Sequence, residues 1–327
     1  MTLQKLLPAT LLALALAACG GKPESPAGAA ADGGAPAEPK PAPSGNATAE
    51  EVAEEARGDL DCPPDIDTPP RAANAPVDDV VGVRPGLTYE EAADLVMCSN
   101  DLMVVGPPIT RGFDIQTYGQ TIRQGFTART AEPRIQKTSK EIMQEMQDDM
   151  MARSGNAVRY DLAPGQAKWN VTTMGMPGQE KVIAAGREEW FAEGKNPTMA
   201  SVADALVKKY GTPSINQDNP GQRFMRWVYD PFGRLATETS PIVNQCAGTG
   251  GSGGVNLSPD CGLVVEARVT PLQENPALAR SLDVGVVDQA NGYENLMAVE
   301  QNMEQMEQQK RAQAVEDAAK NADAPTL

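Results

Sequence analysis

The sequence has five cysteines and no histidine, and four of the cysteines constrain what it can fold into more than any other feature. They are Cys62, Cys98, Cys246 and Cys261, and four thiols allow three disulfide pairings. The local pairing, Cys62 with Cys98 and Cys246 with Cys261, needs the fewest assumptions. The second bridge would close a glycine-rich stretch, residues 247–254, and would stabilise the fold by about 3 kcal/mol through loop entropy. The sequence therefore predicts two local disulfides.

A metal site is the competing interpretation of the same cysteines. No pair has Cys-x-x-Cys spacing, and histidine, the other common zinc ligand, is missing. The lack of histidine also excludes Ser-His-Asp and Cys-His catalytic arrangements. We therefore expect disulfide bonds, no metal ion and no cofactor.

The first eighteen residues read as a secretory signal peptide. Lys5 precedes an apolar run, residues 6–16, that is too short to span a bilayer. A fifth cysteine, Cys19, follows directly. The run Leu16-Ala17-Ala18-Cys19 resembles a bacterial lipobox, in which the cysteine is acylated and becomes the first residue of the mature protein. A plain secretory signal with an incidental cysteine is the alternative.

The lipobox resemblance implies a location. An acylated Cys19 would carry a diacylglycerol and an N-acyl chain such as palmitate, and several acyl chains together anchor a protein stably. In the lipoproteins that the leader resembles, an aspartate after the cysteine retains the protein in the inner membrane, whereas Gly20 stands there in this chain. We therefore expect lipid anchoring in the outer membrane of the cell envelope, with the body in the periplasm and exposure at the cell surface left open.

The charge balance excludes some classes of partner. The formal net charge is −16, which argues against a nucleic-acid binder and against electrostatic attachment to anionic lipid. Aromatic residues make up only 4% of the chain, which is few for one large core. The composition therefore predicts an α+β body of medium size with polar ends.

Composition also divides the chain into segments. We predict four: a lipoprotein signal peptide at 1–18, a disordered Pro/Ala/Gly-rich tether at 19–58, the α+β body at 59–288, and a polar C-terminal helix and tail at 289–327. A transient helix is expected near the end of the tether, because Thr48 and Glu51 have the spacing of a capping box.

Three helices of the body have recognisable start signals. Thr88 begins one, Thr138 a second and Ser201 a third, each with an acidic residue three positions later. Runs of β-forming residues between turn signals predict strands at 169–174, 180–189, 223–229, 234–239 and 263–269. The class is therefore helices packed on an antiparallel sheet.

The helix that begins near Thr138 carries methionines at helical spacing. Ile142, Met146 and Met150 share one face, and this pattern favours packing against the core. The alternative is a Cu(I) site, because Met143 and Met146 have the Met-x-x-Met spacing of thioether ligands.

The body is interpreted as two degenerate repeats. Each half offers a glycine or proline turn, a capped helix and a later pair of strands, with Trp169 and Trp227 at matching places and residues 100–155 as an extra segment in the first half.

Two short motifs resemble a known family. Residues 83–92, VRPGLTYEEA, are similar to the helix opening of small outer-membrane-assembly lipoproteins of the SmpA/OmlA type, and residues 208–213, KKYGTP, are similar to the turn that closes their helical part. These modules, like the related β-lactamase-inhibitory-protein fold, place a helix pair on an antiparallel sheet and bind proteins. The resemblance implies the same architecture and a binding function here.

Adjacent carboxylates are the remaining candidates for catalysis. Neighbouring residues point in different directions, so we expect surface charges and not acid/base pairs at these doublets: Asp78/Asp79, Glu90/Glu91, Asp148/Asp149 and Glu188/Glu189. The sequence therefore favours an outer-membrane lipoprotein that binds or scaffolds envelope proteins without catalysis. The alternatives are an envelope enzyme, such as a carboxylate-dependent glycan hydrolase, and a periplasmic ligand- or metal-binding lipoprotein.

Overall fold

The computed structural model describes residues 45–62, 71–108, 112–154, 162–219, 221–248 and 255–321. From Gly45 onward the chain forms one compact unit. The helices are α1 (Ala49–Arg57), α2 (Tyr89–Cys98), α3 (Ser139–Ser154), α4 (Met199–Tyr210), α5 (Ile242–Gln245) and α6 (Gln289–Asn321). The strands are β1 (Met103–Gly106), β2 (Gly125–Thr130), β3 (Ala167–Met174), β4 (Lys181–Trp190), β5 (Ile215–Asn219), β6 (Gln222–Val228), β7 (Leu263–Pro271) and β8 (Ala279–Asp288).

All of these strands join one antiparallel sheet in the order β1-β2-β3-β4-β8-β7-β6-β5. Helix α2 precedes the meander β1 to β4, and α4 precedes the meander β5 to β8. The two halves therefore have the same element order, and they meet where β4 pairs with β8. Gly186 lies directly opposite Gly285 within this central pair. The predicted α+β class is confirmed, and the strand order matches two repeats.

The tryptophans do not match as the repeat hypothesis expects. Trp169 lies on the third strand of the first half, opposite Ala128 on the second strand. Trp227 lies on the second strand of the second half, opposite Val265 on the third. Each half therefore places a fully buried tryptophan at the same junction of strands, but from the other strand of the pair.

Residues 100–155 are not simply an insertion, because they supply β1 and β2. Only the connection that contains α3 is extra, and it joins the second and third strands of its half. In the second half, α5 and the Cys246–Cys261 loop occupy the connection between the corresponding strands.

The main core lies on one face of the sheet, which we call the helical face. Helix α2 buries Val96 there and α4 buries Val202 and Leu206, over a layer that includes Trp169 and Trp227. Burying large apolar side chains contributes about 1.5–3 kcal/mol each, so this layer dominates the stability of the fold.

The opposite face, which we call the second face, is covered only in part. The first turns of α6 pack Val299 and Met303 against Met174 and Ile183. Residues 242–248 and 255–261 cover Val264 and its neighbours on β7 and β8. Beyond Met303 most α6 side chains are exposed. Among the described residues, no helix combines the length and apolar character needed to cross a bilayer.

Both disulfides have the local pairing that the sequence favours. Cys62 is bonded to Cys98, and Cys246 is bonded to Cys261. The second bridge is buried within the cover of the second face, with Cys246 and Cys261 both almost fully shielded from solvent.

The body begins earlier than residue 59, so the predicted extent of the tether is wrong for residues 45–58. Helix α1 has the expected capping box between Thr48 and Glu51, but it packs beside β1 with Ala53 buried. Backbone hydrogen bonds between Ala47 and Arg134 hold its start to the body. Side-chain packing orders this polar segment, and the amino-acid composition alone does not reveal such packing.

The strand predictions were wrong in two ways. Four strands were not predicted: β1, β2, β5 and β8. The expected strand at 234–239 is instead an irregular segment with one bridge, between Tyr229 and Leu235. Strand β6 already pairs with β5 on one side and β7 on the other, so no edge remains for a further strand.

Helix α4 begins two residues before the predicted start. Its N-cap is Thr198, whose side chain accepts a hydrogen bond from the Ser201 backbone N–H at 3.0 Å. We expect Thr198→Ala to lower the free energy of unfolding by about 1 kcal/mol, because a helix N–H loses its acceptor. Ser201→Ala should cost less than half as much, and urea denaturation of both variants measures the difference. An equal or larger effect at Ser201 would contradict this assignment.

Helix α3 forms as predicted, with its cap at Thr138 and Glu141, but its apolar side chains are not in the core. Ile142 is 48% exposed, and Met143, Met146 and Met150 are between 63% and 66% exposed. The expectation of core packing for this helix is therefore wrong.

Candidate functional site

Five charged side chains form a line across the strands, on the part of the second face that no described helix or loop covers. In antiparallel pairs, residues directly opposite each other project from the same face of a sheet. Four successive pairs connect one such residue on each of five neighbouring strands. We call this set the charged row: Arg129 on β2, Lys168 on β3, Glu188 on β4, Asp283 on β8 and Arg268 on β7. Cations stand at both ends and carboxylates in the middle.

Neighbours within the charged row form ion pairs. The Lys168 Nζ lies 2.9 Å from the Glu188 Oε2, and the Arg268 guanidinium lies 3.6 Å from the Asp283 Oδ2. The Trp190 indole N–H donates to the Glu188 Oε1 at 2.9 Å. Phe224, opposite Arg268 on β6, lies under the Arg268 guanidinium. Pairing fixes the side chains and leaves the row partly exposed to solvent.

Asp283 is the member of the row whose surroundings disfavour its charge. Burial raises the pKa of its carboxyl to about 6, and the nearby carboxylates Glu188 and Glu266 act in the same direction against Arg268 and Lys168. Its Oδ1 is buried and accepts no hydrogen bond from the described residues. An unsatisfied buried acceptor is uncommon in folded proteins and suggests a place where a further donor is missing.

A neighbouring pair of charges marks where the uncovered area ends. Arg226 and Glu266 lie opposite each other one step along the same face, with the Arg226 Nε 2.7 Å from the Glu266 Oε1. Arg226 also donates to the Val243 carbonyl in α5. Burial raises the pKa of Glu266, although the charges of Arg226 and Arg268 act in the opposite direction. Residues 242–248 cover this pair, whereas no described helix or loop covers the charged row.

Two cavities are lined by described residues. One, of about 340 Å³, lies on the helical face between α4 and the loop at Val80 and is lined mainly by apolar side chains. The other, of about 220 Å³, adjoins the charged row at Arg129, Lys168 and Asn170. The first lining contains no carboxylate and the second contains only Glu132, so neither of these two cavities brings Glu188 and Asp283 together.

The acid doublets singled out in the sequence separate or pair with cations. Glu188 and Glu189 project from opposite faces of β4, and Glu189 pairs with Arg187. Glu90 pairs with Arg123, and Glu91 caps α2. Asp148 is exposed on α3, and the side chain of Asp149 lies outside the described residues.

Asp78 and Asp79 belong to a structural ion cluster. Asp78 pairs with Arg71 and Arg84, and Asp79 pairs with Arg71 and Lys209 of α4. Burial alone would raise the pKa of Asp79, but hydrogen bonds from Lys209 and the Gly82 backbone hold it below its usual value. These contacts attach the segment before α2 to α4.

Of the predicted site residues, Cys19 lies outside the described residues, and the other four cysteines form the two disulfides. The described residues contain no group of three or more Cys, Asp or Glu side chains placed to hold a metal ion. Sequence reasoning named only Glu188 of the charged row, because its five members are spread from residue 129 to residue 283.

Comparisons with models of known families, with curated proteins and with solved structures found no match for this chain. The strand order and the charged row define the class instead: an α+β module with two halves of the same element order and a charged sheet face.

Proposed function

We propose that this protein is a lipid-anchored, non-catalytic binding module of the bacterial outer membrane, and that the charged row contacts a partner protein of the envelope. The observation that carries the proposal is the row itself: five aligned charges on a sheet face that no described helix or loop covers.

The size of the row suits a macromolecule. Neighbouring strands are about 4.8 Å apart, so the row from Arg129 to Arg268 extends over roughly 20 Å. A fixed pattern of cations at both ends and carboxylates between them selects a partner with the complementary pattern and disfavours others. Phe224, half-buried beside the row, offers aromatic surface, and aromatic residues are common at the centres of protein interfaces.

The sequence supports the envelope as the location. The lipobox-like run ends at Cys19, and two disulfides are typical of proteins that mature in an oxidising compartment. The acidic net charge of −16 agrees with a protein partner better than with nucleic acid.

Site-specific photo-crosslinking in cells tests the proposal. A photoreactive residue placed at Asn170, beside the row, is expected to capture one envelope protein, which mass spectrometry identifies. Arg129→Glu should reduce this adduct by about tenfold, because reversing an end charge of the row repels the matching charge on the partner. Arg129 is exposed, so the substitution should leave folding intact.

Three comparisons make the crosslinking result interpretable. A photoreactive residue at Lys208, exposed on α4, should not capture the same protein, and Lys208→Glu should leave the Asn170 adduct unchanged. Cys19→Ala should remove the chain from the membrane fraction and reduce the adduct. Equal capture at both positions, or an adduct insensitive to Arg129→Glu, would contradict the proposed interface.

One observation favours a second candidate, a glycan hydrolase. Glu188 and Asp283 face each other across β4 and β8, and the pKa of Asp283 is raised to about 6, as acid/base catalysis requires. Both carboxylates already pair with cations on the sheet face, Glu188 with Lys168 and Asp283 with Arg268, which is why we prefer a binding function. Hydrolysis of cell-wall glycan that is abolished by Glu188→Gln would reverse this preference.

A further inference from the structure

The exposed methionines of α3 belong to none of the core clusters formed by the described residues. Met143, Met146 and Met150 are each at least 63% exposed, whereas Met103, Met174, Met225 and Met303 are no more than 1% exposed. Leucine has similar hydrophobicity and helix propensity. Where nothing packs on a helix face, the property that distinguishes methionine from leucine is its thioether sulfur.

The three exposed side chains are neighbours on one face of the helix. Residues three and four apart on a helix lie one above the other, and Met143, Met146 and Met150 are joined by one spacing of three and one of four. They lie within about 60° of one another around the helix axis, given 3.6 residues per turn. Each side chain has three rotatable bonds, so the sulfur atoms can converge on a common point.

Thioethers are soft ligands that select monovalent copper over harder cations. The chain has no histidine, and the four cysteines among the described residues, Cys62, Cys98, Cys246 and Cys261, are held in disulfides. The remaining cysteine, Cys19, is the residue that is acylated in the proposed function. Acidic side chains, Glu141, Glu145 and Asp148, stand on the same helix and favour a cation nearby.

We propose that α3 binds one Cu(I) ion through the thioether sulfurs of Met143, Met146 and Met150. Binding forms Cu–S bonds without any change in oxidation state, and the ion's previous ligands are released. The earlier preference for core packing at these residues rested on their spacing alone, and their exposure removes that explanation. This site is independent of the charged row, which lies on the sheet.

An anaerobic titration tests the site. The purified full-length chain, kept in detergent, receives Cu(I) as its acetonitrile complex in competition with a chromophoric Cu(I) chelator. We expect one ion per chain and sulfur-only coordination in the X-ray absorption spectrum. The Met143→Leu/Met146→Leu/Met150→Leu variant should weaken the apparent Cu(I) affinity at least about tenfold, because it removes all three soft ligands and keeps the helix former and the apolar surface.

The matched control is Met297→Leu/Met306→Leu, which removes two partly exposed methionines of α6. It should leave stoichiometry and affinity unchanged. Failure of the wild-type chain to take Cu(I) from the chelator, or equal binding by the α3 triple variant, would overturn the proposal. So would a protein partner of α3 that binds the wild type and the triple variant equally while no copper is retained, because such a surface needs apolar area and not sulfur.

Discussion

Replacement of both Cys246 and Cys261 by alanine should lower the free energy of unfolding by about 4 kcal/mol. The bridge spans 15 residues, and opening a loop of that length costs about 3 kcal/mol in the chain-entropy description. Both sulfurs are buried against β7 and β8, so their removal also leaves small cavities worth about 1 kcal/mol. Urea denaturation of the variant and the wild type measures the loss.

The Cys62→Ala/Cys98→Ala variant is the matched control, because its bridge attaches a different part of the body. Amide hydrogen exchange should become faster in β7 and β8 only when the Cys246–Cys261 bridge is removed, and near α2 only when the other bridge is removed. A stability loss below about 1 kcal/mol for the first variant would show that segment 242–261 is held by its other contacts.

Substitution of Asp283 by asparagine should stabilise the protein at pH 8 by about 3 kcal/mol and change its stability little near pH 4. The folded-state pKa is raised from 3.8 to about 6, so the unfolded chain loses this proton at lower pH than the folded chain. Stability contributed by the protonated carboxyl is therefore complete below about pH 4 and is lost as pH rises through about 6. Asparagine does not ionise and avoids that loss.

Thermal unfolding at several pH values measures the Asp283→Asn effect. Asp148→Asn changes an exposed aspartate on α3 and should shift stability by less than about 0.5 kcal/mol at any pH. A destabilised Asp283→Asn variant at pH 8 would mean that the attraction of Arg268 and Lys168 outweighs burial and repulsion by Glu188 and Glu266. In the same variant, loss of the Asn170 crosslink would connect this carboxylate to partner binding.

Local signals predicted the parts of the fold that depend on neighbours in sequence. The capping boxes at Thr88 and Thr138 satisfy helix N–H groups within three residues, so sequence alone locates these helix starts. Strand β8 was missed because its arginine and aspartates dilute the apolar pattern. Its partners, β4 and β7, decide that it is a strand.

The candidate site depends on distant residues. Members of the charged row come from five strands, and only the register across four strand pairs aligns them. Spacing along α3 likewise predicted the helix correctly, but spacing does not say whether anything covers its methionines. Only the structure shows that these side chains of α3 are exposed.

The pairing of β4 with β8 also sets an order of events during synthesis. The chain emerges from its N-terminus, so β1 to β4 can pair with one another long before Ala279 appears. During that interval the outer edge of β4 has hydrogen-bonding groups and no strand beside it. Unpaired edges are where identical chains associate, so a chain delayed at this stage is vulnerable to exchanging β8 with a second copy.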